Sequence, residues 1–176
     1  MATLGETAPD FELPATDGRT IALSDVMLEH GAVIAFICNH CPYVTSSARR
    51  MAQDADALAA EGIGFAAICS NDAQKYPADS FERMGAFAAD MGFRFPYLHD
   101  ETQTIATAYG AEVTPHFFGL NGRGRIHYIG RMDGGTTSAP PEGSPRELVE
   151  AMRVIAKTGQ GPRVQNPPRG CTIKWR

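Results

Sequence analysis

The chain of 176 residues is 43% hydrophobic and carries 16 basic against 20 acidic side chains, a formal net charge of −4. That length and composition suit one domain spanning residues 1–176, with 1–30 as an N-terminal extension and 159–176 as a C-terminal tail. The acidic balance argues against a nucleic-acid binder, which needs a basic patch. No apolar run reaches the roughly 20 residues of a membrane span. Residues 1–11 lack the basic and apolar regions of a secretory leader, so a cytoplasmic location is expected.

In chain order, residues 1–30 hold short apolar pieces around Phe11, Leu13, Ile21 and Leu23, broken by Pro14 and the turn at Thr16-Asp17-Gly18. This predicts a short irregular hairpin, followed by a turn or short helix at Ser24-Asp25. Residues 32–37 are uniformly apolar and rich in branched side chains, as a strand buried on both faces requires. A helix is predicted over 41–60, with Val44, Ala48, Met51, Ala52, Ala55, Leu58 and Ala59 on one face and Pro42 in the first turn. Glu61-Gly62 ends it, and 63–68 reads as a second buried strand. Strand, helix and strand in this order imply a right-handed parallel crossover.

Residues 75–79 read as a loop, and Ser80 caps a helix that Gly92 ends. An extended piece at 95–98 and a short helix at 102–109, closed by Gly110, come next. Val113-Thr114-Pro115 then leads into two strands, 116–120 and 125–129, around an Asn-Gly turn. Residues 133–145 are rich in Gly, Pro, Ser and Thr and read as a loop. A last helix begins at Pro145, with Leu148, Val149, Met152, Ile155 and Ala156 on one face. The tail is expected to cross the surface, with Ile173 and Trp175 as its apolar anchors.

Four cysteines are too few for a disulfide scaffold of this length. Cys38 and Cys41 form a Cys-Asn-His-Cys pair just where the first buried strand meets a helix, while Cys69 and Cys171 stand alone. A cysteine at a helix N-terminus has its thiolate favoured by exposed N–H groups. Cys38 is therefore the expected attacking thiol and Cys41, one turn on, the resolving one, leaving a Cys38–Cys41 redox-active disulfide. His40 is expected to lower the Cys38 pKa if it faces the sulfur. Zinc held by Cys38, Cys41 and His40 with Cys69 or Cys171 is the rival reading, but a structural zinc site draws on a second close pair, so no metal is expected. Cys69 suits a small core hydrophobe. Cys171 is a candidate third redox thiol, with an inert tail cysteine as its rival. His116 is expected to be a strand residue near the site.

The segment Gly5 to Phe11, the cysteine pair after the first buried strand, and Tyr109-Gly110 followed by Val113-Thr114-Pro115 together resemble the thioredoxin-like superfamily. The likeness is to its redoxin branch, which includes the alkyl hydroperoxide reductase/thiol-specific antioxidant group and TlpA-like thiol-disulfide oxidoreductases. The resemblance implies an α/β thioredoxin-like fold: a central mixed β-sheet flanked by helices on both faces, with an N-terminal β-hairpin extension. It also implies a cis bond before Pro115, with Thr114 and Pro115 set against the pair to bind substrate, and Asn39, His40 and Pro42 as tuning or binding residues. Ile37 stands where the superfamily usually has Trp. Cys41-Pro42 matches the peroxidatic Cys-Pro of peroxiredoxins, while Cys38 occupies the position of their Thr. The Gly170 to Trp175 ending resembles that of an uncharacterised set of bacterial redoxins.

The expected function is thiol-disulfide exchange without a cofactor beyond the disulfide itself, acting on a protein or small-molecule disulfide and restored by an external thiol reductant. A peroxiredoxin-like thiol peroxidase acting on hydroperoxides is the alternative. A non-catalytic thioredoxin-fold binding module, using the Thr-Pro surface or the 133–145 loop, is the third reading.

Overall fold

The computed structural model describes residues 2–176. Its centre is the apolar segment anticipated above. Strand β3 (Ala32–Phe36) is buried along its whole length and lies in the middle of a five-stranded sheet. The other members are β4 (Gly64–Cys69), β5 (Tyr97–His99), β7 (His116–Leu120) and β8 (Ile126–Gly130). The order is β5-β4-β3-β7-β8. β4 runs parallel to β3 and to β5, whereas β7 runs antiparallel to β3 and to β8. The sheet is thus mixed, and the chain has the thioredoxin-like α/β fold.

Alternation along β3 decides what lies on each face, because successive side chains of a strand point to opposite sides. Val33 and Ala35 join a core with Met51, Ala55 and Leu58 of α3 (Ala48–Ala60), Met84 and Phe87 of α4 (Phe81–Met91), and Leu148, Met152 and Ile155 of α6 (Glu147–Thr158). Ala32, Ile34 and Phe36 join the opposite core. There they meet Phe11, Ile21, Leu23 and Val26 from the N-terminal region and Ala106 and Tyr109 of α5 (Thr104–Tyr109). Both faces are covered, which is why β3 carries no polar residue. Burying each large apolar side chain in such a core contributes about 1.5–3 kcal/mol.

The N-terminal hairpin is β1 (Glu12–Pro14) against β2 (Thr20–Ala22), followed by α1 (Leu23–Val26). The helix predicted over 41–60 is instead two: α2 (Pro42–Thr45) and α3. The reason lies in Ser46 and Ser47. Ser47 Oγ donates to Tyr43 O at 2.7 Å and Arg50 reaches Ser46 O at 3.0 Å, so side chains take carbonyls that the ladder would otherwise use. At α4 the cap is as expected: Ser80 Oγ accepts from Arg83 N at 3.2 Å, and Gly92 closes the helix at φ +76°. The loop at 75–79 contains one 3-10 turn, Pro77–Asp79. The loop at 133–145 has no helix or strand and is tied to α3 by a two-pronged contact of Arg50 with Asp133, at 3.0 and 3.1 Å.

The tail departs from expectation in how it is anchored. Ile173 is buried, but Trp175 is 40% exposed. The stronger hold is polar: β9 (Cys171–Thr172) pairs antiparallel with β6 (Val113–Thr114), and Lys174 N donates to Asn71 Oδ1 at 2.9 Å. Lys174 O accepts from Gln103 Nε2 at 2.9 Å and from Asp72 N at 2.8 Å. Among the described residues no helix is long and apolar enough to cross a membrane.

Candidate active site

Three segments converge at the C-terminal end of β3. Beyond Phe36 the chain keeps sheet contact for one residue more, Ile37 N donating to Ile68 O at 2.9 Å, and then turns through Cys38-Asn39-His40 into α2. Cys41 is the N-cap of α2 and Pro42 its first residue; Cys41 O accepts from Val44 N and Thr45 N at 2.8 and 2.9 Å. The second segment arrives because β7 pairs His116 with Phe36, which sets the preceding Thr114–Pro115 bond, a cis peptide, against the turn. The third is β9, whose register puts Cys171 opposite Thr114.

The sulfurs are close-set. Cys38 Sγ lies 3.4 Å from Thr114 Oγ1 and accepts from Cys41 N at 3.3 Å. Cys41 Sγ lies 3.5 Å from Thr114 O and 2.6 Å from Cys171 Sγ. Cys38 and Cys41 are 1% and 0% exposed, while Cys171 is partly exposed. Cys69 is fully buried in the helix-face core, and burial pushes its thiol up to about 12. It stands apart from the cluster as a core residue.

The three clustered thiols differ in acidity, and the cause is who donates to whom. Cys41 is lowered to about 4, chiefly by the hydrogen bond from the Cys38 thiol, against the cost of burial. The Cys171 thiol and the backbone N–H groups of Cys171 and Tyr43 add to the lowering. Cys38 is pushed far up, first by giving its proton to that bond, then by burial, with the charge of Asp79 in the same direction. Cys171 is raised to about 11 by burial and by its hydrogen bond with Cys41. Protons in so tight a group belong to the group as a whole; the shifts run toward Cys41 as its more acidic member.

A ring nitrogen of His40 lies within 4.8 Å of Cys38 Sγ. The residue reaches Cys38 through its backbone N–H as well. The ring also sits over Asp79, Nδ1 being 2.7 Å from Asp79 Oδ2 but out of line for a hydrogen bond. Asn39 is also turned inward: its side chain donates to Ala78 O at 3.0 Å and accepts from the Tyr97 hydroxyl at 2.8 Å. Asn39 and Pro42 thus shape the turn, and Thr114 is the expected binding residue that touches both sulfurs of the pair.

Asp79 is the residue the sequence reading missed. Fully buried, it accepts from Asn39 N at 2.8 Å and Asn71 Nδ2 at 3.0 Å, and so fixes the turn that carries Cys38. An aspartate in a short loop has no periodicity to reveal it. Ligand atoms of Cys38, His40 and Asp79 lie within 4.8 Å of one another. Both Asp79 oxygens also accept hydrogen bonds, from Asn39 N and from Asn71 Nδ2. His116, 5% exposed, accepts from Glu112 N at 3.3 Å and is lowered to about 4 by burial, so it is neutral and structural.

The sequence profile of the AhpC/TSA family matches residues 4–129. An uncharacterised conserved protein from Geobacillus kaustophilus is 39% identical with a TM-score of 0.91, the match covering 100% of this chain and 94% of that one. A hypothetical protein from Sinorhizobium meliloti 1021 is 36% identical with a TM-score of 0.90, over 100% and 96% of the two chains. A Mycobacterium tuberculosis protein, provisionally named a peroxiredoxin, is 26% identical over 124 residues, 70% of this chain and 74% of that protein.

Proposed function

The chain belongs to the AhpC/TSA family of redox proteins, and from that premise we propose that it is a thiol-disulfide oxidoreductase whose Cys38 and Cys41 cycle between dithiol and disulfide. The observation that carries this reading is the placing of both sulfurs at one turn against Thr114, with Cys41 N donating to Cys38 Sγ and the Cys41 thiol made more acidic by its neighbours. A thiolate with a second thiol in reach has both parts that exchange requires. Cys41 forms a mixed disulfide with one sulfur of the substrate and the other leaves as thiolate. Cys38 then attacks the Cys41 sulfur, its proton passing to the departing thiolate, and the second substrate thiol is released. Two electrons leave the pair, and the substrate disulfide gains them.

In this reading the roles run opposite to the order expected from sequence, with Cys41 as the shared, ionised sulfur and Cys38 as the resolving thiol. The direction of the shifts supports that order, Cys41 down and Cys38 up, although Cys38 Sγ accepts from Cys41 N while Cys41 Sγ lies against Thr114 O and Cys171 Sγ. A second reading is favoured by one feature. Both sulfurs of the pair are almost wholly covered, and Cys41-Pro42 has the peroxidatic pattern, so a small hydroperoxide reaches them more readily than a bulky disulfide. Cys41 would then be oxidised to sulfenic acid with release of alcohol or water, and Cys38 would condense with it to the disulfide, losing water.

Turnover of the wild type, Cys38→Ser and Cys41→Ser with insulin and with hydrogen peroxide tests both. Disulfide reduction lost in both variants supports the exchange reading. Rapid peroxide consumption that depends on Cys41, with negligible insulin reduction, would replace it by the peroxidase. Absence of turnover on both substrates in the wild type would leave the fold as a binding module only.

A further inference from the structure

A two-cysteine cycle leaves Cys171 unexplained, and its placement is too constrained for a tail residue. Register opposite Thr114 fixes it from one side, and the Lys174 contacts with Asn71, Asp72 and Gln103 pin the chain just beyond it. Gly170 lets the strand approach so closely that a Cβ there would stand 1.9 Å from Thr114 O. The result is a sulfur 2.6 Å from Cys41 Sγ and, of the three clustered thiols, the one with appreciable exposure. An external thiol therefore meets Cys171 first.

We propose that Cys171 is the third member of a relay in which Cys41 is the shared sulfur: the disulfide passes from buried Cys38–Cys41 to Cys41–Cys171, and external thiols exchange with the protein at Cys171. This rests on the Cys38–Cys41 couple proposed above and supplies its outlet. In the first step Cys171 attacks the Cys41 sulfur, the Cys38–Cys41 bond breaks, and the proton of Cys171 ends on Cys38; no net oxidation occurs. In the second, an external thiolate attacks the exposed Cys171 sulfur and expels Cys41 as thiolate. A second external thiolate attacks the mixed disulfide, releasing the external disulfide and Cys171. The protein gains the two electrons that two external thiols lose. Cys41 is a suitable leaving group because a thiol of low pKa leaves faster.

Trypsin separates the sulfurs cleanly: Cys38 and Cys41 share the peptide 20–49, and Cys171 lies in 170–174. Full-length wild type, Cys38→Ser, Cys171→Ser and Gly170→Ala are oxidised with diamide and mapped without reduction, and their insulin reduction is assayed with dithiothreitol. The relay predicts that Cys38→Ser yields a 20–49 to 170–174 cross-link. It also predicts that Cys171→Ser keeps the internal Cys38–Cys41 bond yet turns over at least about tenfold more slowly. Gly170→Ala, which removes no thiol, should slow turnover in the same direction. No cross-link in Cys38→Ser, or Cys171→Ser as fast as wild type, overturns the relay while leaving the couple standing. Absence of the internal bond in both wild type and Cys171→Ser overturns the couple, and the relay with it.

Discussion

At the scale of single residues the site turns on where one negative charge sits. The neighbouring Cys38 and Cys171 and two backbone N–H groups hold Cys41 well below the usual thiol range, at about 4. The thiolate ultraviolet absorbance of the reduced protein should therefore show a step low on the pH scale that disappears in Cys41→Ser. Cys38→Ala removes the largest cause of the lowering, so the step should persist there and move to higher pH. A low-pH step that survives Cys41→Ser and vanishes with Cys38 would restore the reverse order. An exchange rate limited by Cys41 should also be nearly flat between about pH 6 and 8, where an ordinary cysteine would still be gaining thiolate. The pair and its Thr-Pro partner were legible in the sequence because spacing and motif mark them. The distribution of charge was not, because it depends on Asp79 and Cys171, which lie far from the pair in sequence and meet it only through the fold.

At the scale of elements, the Cys38 turn is held by a buried carboxylate rather than by helix propensity. Asp79 serves Asn39 and Asn71, groups from two separate segments. Asp79→Ala leaves those donors without a partner, and each buried unsatisfied group costs about 1–3 kcal/mol. The urea midpoint should fall accordingly; an unchanged midpoint would show that the turn is fixed otherwise. Helical periodicity located α3, α4, α5 and α6 within a few residues because apolar spacing survives in the sequence. It misread 41–60 as one helix, since the apolar face runs through Ser46-Ser47 unbroken and only hydrogen bonding by those serines divides it. The two-residue strands β6 and β9 carry no pattern that sequence alone could mark, yet their pairing delivers Cys171.

At the scale of the whole molecule, the charge on Cys41 couples to stability. Folding lowers its pKa from about 9 to about 4, so over that window the unfolded chain binds a proton that the folded one does not. The contribution is present in full above the unfolded value and is lost as pH falls toward about 4. Reduced wild type should therefore gain stability over Cys41→Ser as pH rises through this range, measured as urea midpoints. A constant difference would contradict the assignment. The core predicts a separate cost: Leu58→Ala, buried between α3 and the sheet, should destabilise by about 2–5 kcal/mol. The sheet and its two faces were legible because β3 is apolar throughout; the anchoring of the tail was not, because it rests on backbone pairing and not on Trp175.

The central claim, that Cys38 and Cys41 form one redox couple, is tested most directly by equilibrating the full chain in graded thiol-disulfide buffers, quenching in acid, and mapping alkylation of each cysteine. With Cys171 replaced by Ser, so that no relay can move the bond, Cys38 and Cys41 are predicted to lose alkylation together in a single two-electron transition while Cys69 remains alkylated throughout. Cys38 and Cys41 both remaining alkylated in the most oxidising buffer would contradict the claim.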